Sequence, residues 1–149
     1  MIRITDFLVT MDGVVKLQEE LLKQISVEYG ISMTEAKVMS FLRNNPGKDT
    51  AAEIVRLRRM QKGNVSAAVD SLVGRGLLQR EADSQDRRKV HLHPTKEAEP
   101  ILAAIDRGWI EFTDSLFFGI SEEDIILFEK IDRRIGENAH QALKRRKRQ

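Results

Sequence analysis

Apolar side chains recur at alternating spacings of three and four near the start of the chain: Ile4, Phe7, Met11, Val14, Leu21 and Ile25, with Gln18 the one polar member of the series. Leu8, Val15 and Leu22 widen the stripe. This periodicity predicts an amphipathic helix over about residues 5–28. So broad an apolar face can be covered by helices of a partner or by the chain's own elements. Gln18 can then fix the register of the seam.

A second helix is predicted from just after Gly30 to about Asn45, stopped by Pro46-Gly47. Ser32 and Glu35 have capping-box spacing, with Thr34 as a rival cap. Thr50 and Glu53 open a third helix in the same way, and Ile54, Val55 and Leu57 supply its apolar side. After a break near Met60–Lys62, Val65, Val69, Leu72 and Val73 predict a fourth helix over about 62–74, ended by Gly76 in a left-handed C′ position. Residues 77–81 and 89–93 read as two short strands joined by a polar turn. A long helix follows from Thr95 to about Phe118. Pro100, tolerable only in a first turn, moves its start towards Glu99. The last helix starts at Ser121 and carries Ile125, Phe128, Ile131, Ile135, Ala139 and Ala142. Lys144–Arg148 form an unbroken basic run. The fold class expected is mainly α with a small two-stranded β wing.

Composition narrows the function. The 149 residues include no cysteine, which excludes disulfide scaffolds, thiol switches and zinc fingers. No apolar run approaches the ~20 residues that span a bilayer. Asp6 and Asp12 interrupt the N-terminal apolar stretch, so no secretory leader is expected, and the expected location is cytoplasmic. The net charge of +2 hides a pattern: −1 over residues 1–49, +4 over 50–93 and −1 over 94–149. A local basic surface is the electrostatic footprint of a nucleic-acid binder, although a solvated charged face looks the same. No nucleophile elbow, phosphate loop or metalloprotease helix is present, so neither enzymatic activity nor a cofactor is expected.

Helix, turn, helix and hairpin over residues 50–93 spell a winged helix-turn-helix. The stretches SMTEAKVMSFL, NVSAAVDSLVGRGLLQR and DSQDRRKVHLHPT resemble the MarR family of bacterial regulators. The most specific parts are Val65-Ser66, Gly76-Leu77-Leu78 and Asp86-Arg87-Arg88. The resemblance implies a winged region over 33–94, with 1–32 and 95–149 forming a helical dimerisation region. It also implies double-stranded DNA bound by a homodimer at a palindromic operator, with the fourth helix in the major groove and the wing in the minor groove. Repression is the family's usual mode, and many members release DNA on binding a small aromatic or lipophilic effector. Two places depart from the family pattern. The turn before the recognition helix holds Arg58 and Arg59, where an apolar residue and a glycine are usual. Pro94 and Ala98 stand for the usual Leu and Gly at the hairpin exit.

Candidate DNA contacts follow from charge and position. Arg56, Arg58, Arg59, Lys62, Arg75 and Arg80 suit phosphates. Gln61, Lys62, Asn64, Ser66 and Ala67 lie at the start of the recognition helix, where base edges are read, with Asp70 on the same face. Capping or plain solvation would equally account for Asn64 and Ser66. In the wing, Asp86 can pair with Arg88 through both guanidinium nitrogens and orient it for a narrow minor groove, with Arg87 and Lys89 on the flanking phosphates. An ion pair that only stiffens the turn is the plainer alternative. His91 and His93 have a spacing that can bind metal, but without a third ligand nearby no metal is expected, and solvated or phosphate-facing imidazoles are favoured. Trp109 suits core packing or an effector pocket with Tyr29, Met39 and Phe41. A winged helix that binds only proteins is the competing function.

Overall fold

The computed structural model describes residues 1–148 in an order of helices α1 (Ile4–Tyr29), α2 (Met33–Asn44), α3 (Ala51–Arg58) and α4 (Lys62–Gly74), strands β1 (Leu78–Ala82) and β2 (Val90–Pro94), and helices α5 (Glu99–Leu116) and α6 (Glu122–Arg146). Gln149, which closes the expected helical region 95–149, lies outside the described residues.

Side-chain caps set the helix starts. Ser32, not its rival Thr34, caps α2: its Oγ accepts from the Glu35 amide at 3.0 Å, while the Glu35 carboxylate accepts from the Ser32 amide at 3.4 Å. Thr50 and Glu53 make the same reciprocal pair at α3. At the far end of α4, Gly76 adopts φ +74, which lets the chain turn directly into β1. β1 and β2 pair antiparallel with Leu78 opposite Pro94 and Ala82 opposite Val90, one residue later than the apolar alternation predicts. Thr95 closes the hairpin, donating its amide to the Leu77 carbonyl at 3.0 Å and its hydroxyl to the Gly76 carbonyl at 2.5 Å. Residues 96–98 form a 3-10 turn before α5 begins at Glu99. Pro100 has no amide to donate, so the α-helical ladder cannot extend back from it.

The chain divides into two compact units, Met1–Phe112 and a second beginning at Thr113. The first has one core, to which α1 contributes Leu22 and Ile25, α2 Val38 and Met39, α3 Ile54, α4 Val65, Val69 and Leu72, and α5 Ile101 and Ile105. The strands add Leu78 and Leu92. Ile54, Val65 and Leu72 are fully enclosed, each such side chain contributing about 1.5–3 kcal/mol by leaving water. Gly108 brings α5 close to α1: a Cβ there would lie 2.9 Å from the methyl groups of Leu21. In the second unit α6 buries no residue. Its Ile126, Leu127, Phe128, Ile131, Ile135 and Leu143 are exposed within the single chain.

Candidate nucleic-acid interface

The geometry of α4 separates reading from packing. Val65, Ala68, Val69 and Leu72 face the core, and Gln61, Lys62, Asn64, Ser66, Ala67 and Asp70 are exposed. Asn64 leans on Gln61 through a long amide contact of 3.4 Å. No side chain caps the N-terminus of α4. Its first amides are therefore open to an anionic oxygen, which the helix dipole also favours.

The basic residues fall into two groups. Arg56, Arg59 and Lys62 are exposed around the α3–α4 turn. Three others are already engaged. Arg75 donates to the Gly30 carbonyl at 3.0 Å and to the Glu35 carboxylate at 3.3 Å, tying the end of α4 to the start of α2. Arg80 of β1 pairs with Asp70 of α4, joining the wing to the recognition helix. Arg58 turns inwards: its Nη1 donates to Gln18 Oε1 at 3.2 Å, and burial pushes its guanidinium below the ordinary arginine value, against the opposing pull of Glu19.

Between the strands, Asp83 organises the wing. Its Oδ2 accepts from the amides of Gln85 at 3.0 Å and Asp86 at 2.8 Å, a local turn typical of Asp. The Lys89 amide donates to the Asp86 carbonyl at 3.0 Å. The link between Asp86 and Arg88 differs from the two-nitrogen pairing that the spacing predicts. Asp86 Oδ1 accepts from the Arg88 backbone amide at 3.0 Å, while Arg88 Nε stands 3.6 Å away. The carboxylate is used mainly on the backbone, so it shapes the turn that carries Arg88. The Arg88 side chain itself is 94% exposed. Arg87 and Lys89 are exposed beside it.

An MarR-family sequence model matches residues 29–89, the span from the end of α1 through the wing. Over that span the chain is similar to the MarR family. Over 98 residues, 66% of the chain, it is 32% identical to the HTH-type transcriptional regulator YcgE of Bacillus subtilis strain 168. That match spans 63% of the relative's length. The crystal structure of transcriptional regulator PA3341 superimposes with a TM-score of 0.76 at 23% identity, covering 92% of this chain and 98% of that one. BpsR of Bordetella bronchiseptica, whose DNA binding is regulated by 6-hydroxynicotinic acid, gives 0.63 at 18% identity over 88% of this chain and 98% of its own. At these identities the structures attest the fold.

The turn for which the resemblance predicts glycine is made by Arg59 at φ +51 and ψ +42. Arg59 is the one non-glycine residue with positive φ among those described. A side chain there carries a cost of about 1–2 kcal/mol. The hairpin exit, with Pro94 and Ala98 in place of the usual residues, closes normally, and Ala98 is fully buried.

A cavity of about 420 Å³ lies between α1, α2, α3 and α5, lined by Gln18, Phe41, Asn44, Lys48, Arg58 and Trp109 among others. Of the four expected pocket residues it brings together Phe41 and Trp109. Met39 is enclosed in the core, and Tyr29 is half-buried against the same core. Trp109 also meets Phe112 edge to face with ring centroids 5.0 Å apart. Arg58 was expected on the phosphates. Its inward turn follows from the polar Gln18 inside the α1 stripe, which offers an acceptor to a guanidinium otherwise left against apolar surface.

Both histidines pair with carboxylates, and His93 stays exposed to solvent as expected. His93 Nε2 lies 2.8 Å from Glu81 Oε2, and both nitrogens of His91 meet carboxylates. Asp49 and Asp83 are the functional candidates that sequence reasoning missed. A signal existed for Asp83, because DSQD has the spacing of an Asp-led turn. Asp49 lies 42 positions from His91 and had none.

Proposed function

We propose that this chain is a DNA-binding transcriptional repressor that grips a palindromic operator as a homodimer. The carrying observation is the exposed polar face of α4, fastened through Asp70–Arg80 to a wing that extends Arg88 into solvent. A helix with its apolar side in the core and Gln61, Lys62, Asn64, Ser66 and Ala67 outwards fits a major groove. Arg59 and Lys62 beside the uncapped start of α4, and Arg87 and Lys89 in the wing, are placed to neutralise phosphates. The unburied apolar residues of α6 and exposed Ile4, Leu8 and Val15 of α1 supply surface for a second copy. Such a role is cytoplasmic, and no helix among the described residues is long and apolar enough to cross a membrane.

The test is retention on random duplex across a salt series, followed by sequencing of the genomic fragments that the purified protein enriches. Log affinity should fall linearly with log salt, with a slope of about −0.9 per phosphate neutralised, and the enriched fragments should share an inverted repeat. A winged helix that binds only proteins would give neither result.

The cavity supports a second layer, release of DNA by a small anionic aromatic molecule. Trp109 and Phe41 offer ring faces, and the half-buried Arg58 offers a charge that an incoming carboxylate would compensate. BpsR sets a precedent, its DNA binding being regulated by an aromatic acid. An effector must bind the DNA-incompetent arrangement better to act. Trp109, the sole tryptophan, reports occupancy: benzoate or 6-hydroxynicotinate should change its fluorescence and release duplex, and Arg58→Leu should abolish both responses. Release by these acids that survives Arg58→Leu would place the effector elsewhere.

A further inference from the structure

His91 of β2 is held between two carboxylates from different parts of the chain. Nδ1 lies 2.6 Å from Asp49 Oδ1, and Nε2 lies 2.7 Å from Asp83 Oδ1. An ionised carboxylate only accepts hydrogen bonds, and a neutral imidazole has a single N–H. A neutral His91 would therefore leave one nitrogen lone pair facing an oxygen lone pair. Two contacts this short require the doubly protonated ring, which donates on both sides.

The two carboxylates do different work. Asp83 forms the wing turn through the amides of Gln85 and Asp86. Asp49 directly precedes the Thr50 cap of α3, and its carbonyl accepts from the Leu92 amide at 2.8 Å. The charged ring thus joins the wing turn to the start of the helix-turn-helix. We infer that His91 is a positioning residue for DNA binding, an imidazolium clamp that sets the posture in which the wing presents Arg88. The inference rests on the reading that the wing contacts DNA.

The surrounding charges leave the clamp to these three groups. Glu81, opposite His91 in β1, is bonded to His93, whose ring stacks 6.4 Å from that of His91. On α2, Glu35 pairs with Arg75, Lys37 with Glu19 and Arg43 with Asp106. On α3, Glu53 caps Thr50 and Arg58 faces Gln18, while Arg56 is exposed. The hydrogen bonds to Asp49 and then Asp83 push His91 up to about 9. The bond from His91, followed by those from the Asp86 and Gln85 amides, holds the Asp83 carboxyl well below its usual range. Because the folded value of His91 lies above the ordinary 6.5, the clamp's stabilisation is complete below about 6.5 and is lost as pH rises through about 9.

Binding to an A/T-flanked duplex tests the clamp. His91→Gln should weaken it about five- to tenfold at pH 7.5, a part of the full value of one good DNA contact. His91→Gln combined with Arg88→Ala should bind no more weakly than Arg88→Ala alone, since both act through one contact. Wild type should lose a similar factor as pH rises through about 9, a loss absent from both single variants. Asp49→Asn, which spares the wing turn, should reproduce part of the effect, and circular dichroism should confirm that each variant is folded. In the free protein, nitrogen-detected NMR should find both ring N–H protons of His91 at pH 7.5. Additive losses in the double variant, or a single N–H tautomer, would overturn the clamp. Failure of wild type to bind duplex would instead sink the DNA-binding reading, with the ring protons then deciding the clamp alone.

Discussion

The double variant Ile131→Glu/Ile135→Glu should be a folded monomer that has lost tight binding to an inverted repeat. The two residues are one helical turn apart on α6, so their side chains share a face. They are 48% and 41% exposed in the single chain, and α6 buries nothing. Two carboxylates there take no apolar group out of the chain's own core. They would, however, be forced to shed water without partners inside a two-fold interface, where each is repeated. Loss of the dimer turns a two-site grip into single half-site binding. Affinity for the full repeat should fall by about 10²–10⁴-fold, the usual worth of linking two binding modules, while one half-site should be bound almost as before. Sedimentation at micromolar concentration and titration on full and half sites measure this. A variant that remains dimeric would remove α6 from the interface.

How far the sequence could be read depended on how local the determining contacts are. Caps and turns act over three or four residues, so the α2 and α3 starts and the left-handed Gly76 were legible from Ser32, Thr50 and the Arg75-Gly76 pair, while α4 was placed by its apolar periodicity. The strands came out one residue late, because register is decided by how Thr95 and Pro94 close the hairpin and not by alternation alone. The α5 start was legible only through proline chemistry, and the intervening 3-10 turn had no signal. The outward face of α4 followed from the same periodicity as its core face. Long-range pairings were illegible. Nothing in the sequence near Arg58 told that it would turn to Gln18, 40 positions away, or that His91 would find Asp49. Arg75 and Arg80, equally basic on paper, were claimed by Glu35 and Asp70 through contacts that only the packed structure supplies. Composition therefore located the positive surface, and packing decided which of its charges remain presented to solvent.

Arg88→Ala should weaken operator binding by about 1–3 kcal/mol, the range for a good side-chain contact to DNA. Arg88 stands beyond the paired strands and is 94% exposed, so its removal leaves the fold untouched and the effect reads as lost contact. A free arginine gives up as much as about 2 kcal/mol of side-chain freedom when it is fixed. Asp86 limits that cost by holding the Arg88 backbone amide, and with it the direction in which the side chain leaves the turn. Asp86→Ala should therefore reproduce part of the loss, although the guanidinium is intact. If the arginine enters a minor groove, the width of that groove sets the fit, and the loss should be larger on A/T-rich flanks than on G/C-rich ones. Lys62→Ala, a lost phosphate contact, should instead lower affinity nearly equally on both and reduce the salt slope by about one unit. Titrating the three variants on two duplexes that differ only in flanking composition separates these outcomes. Equal affinity of Arg88→Ala and wild type on both would take the wing out of the mechanism, leaving recognition to α4 alone.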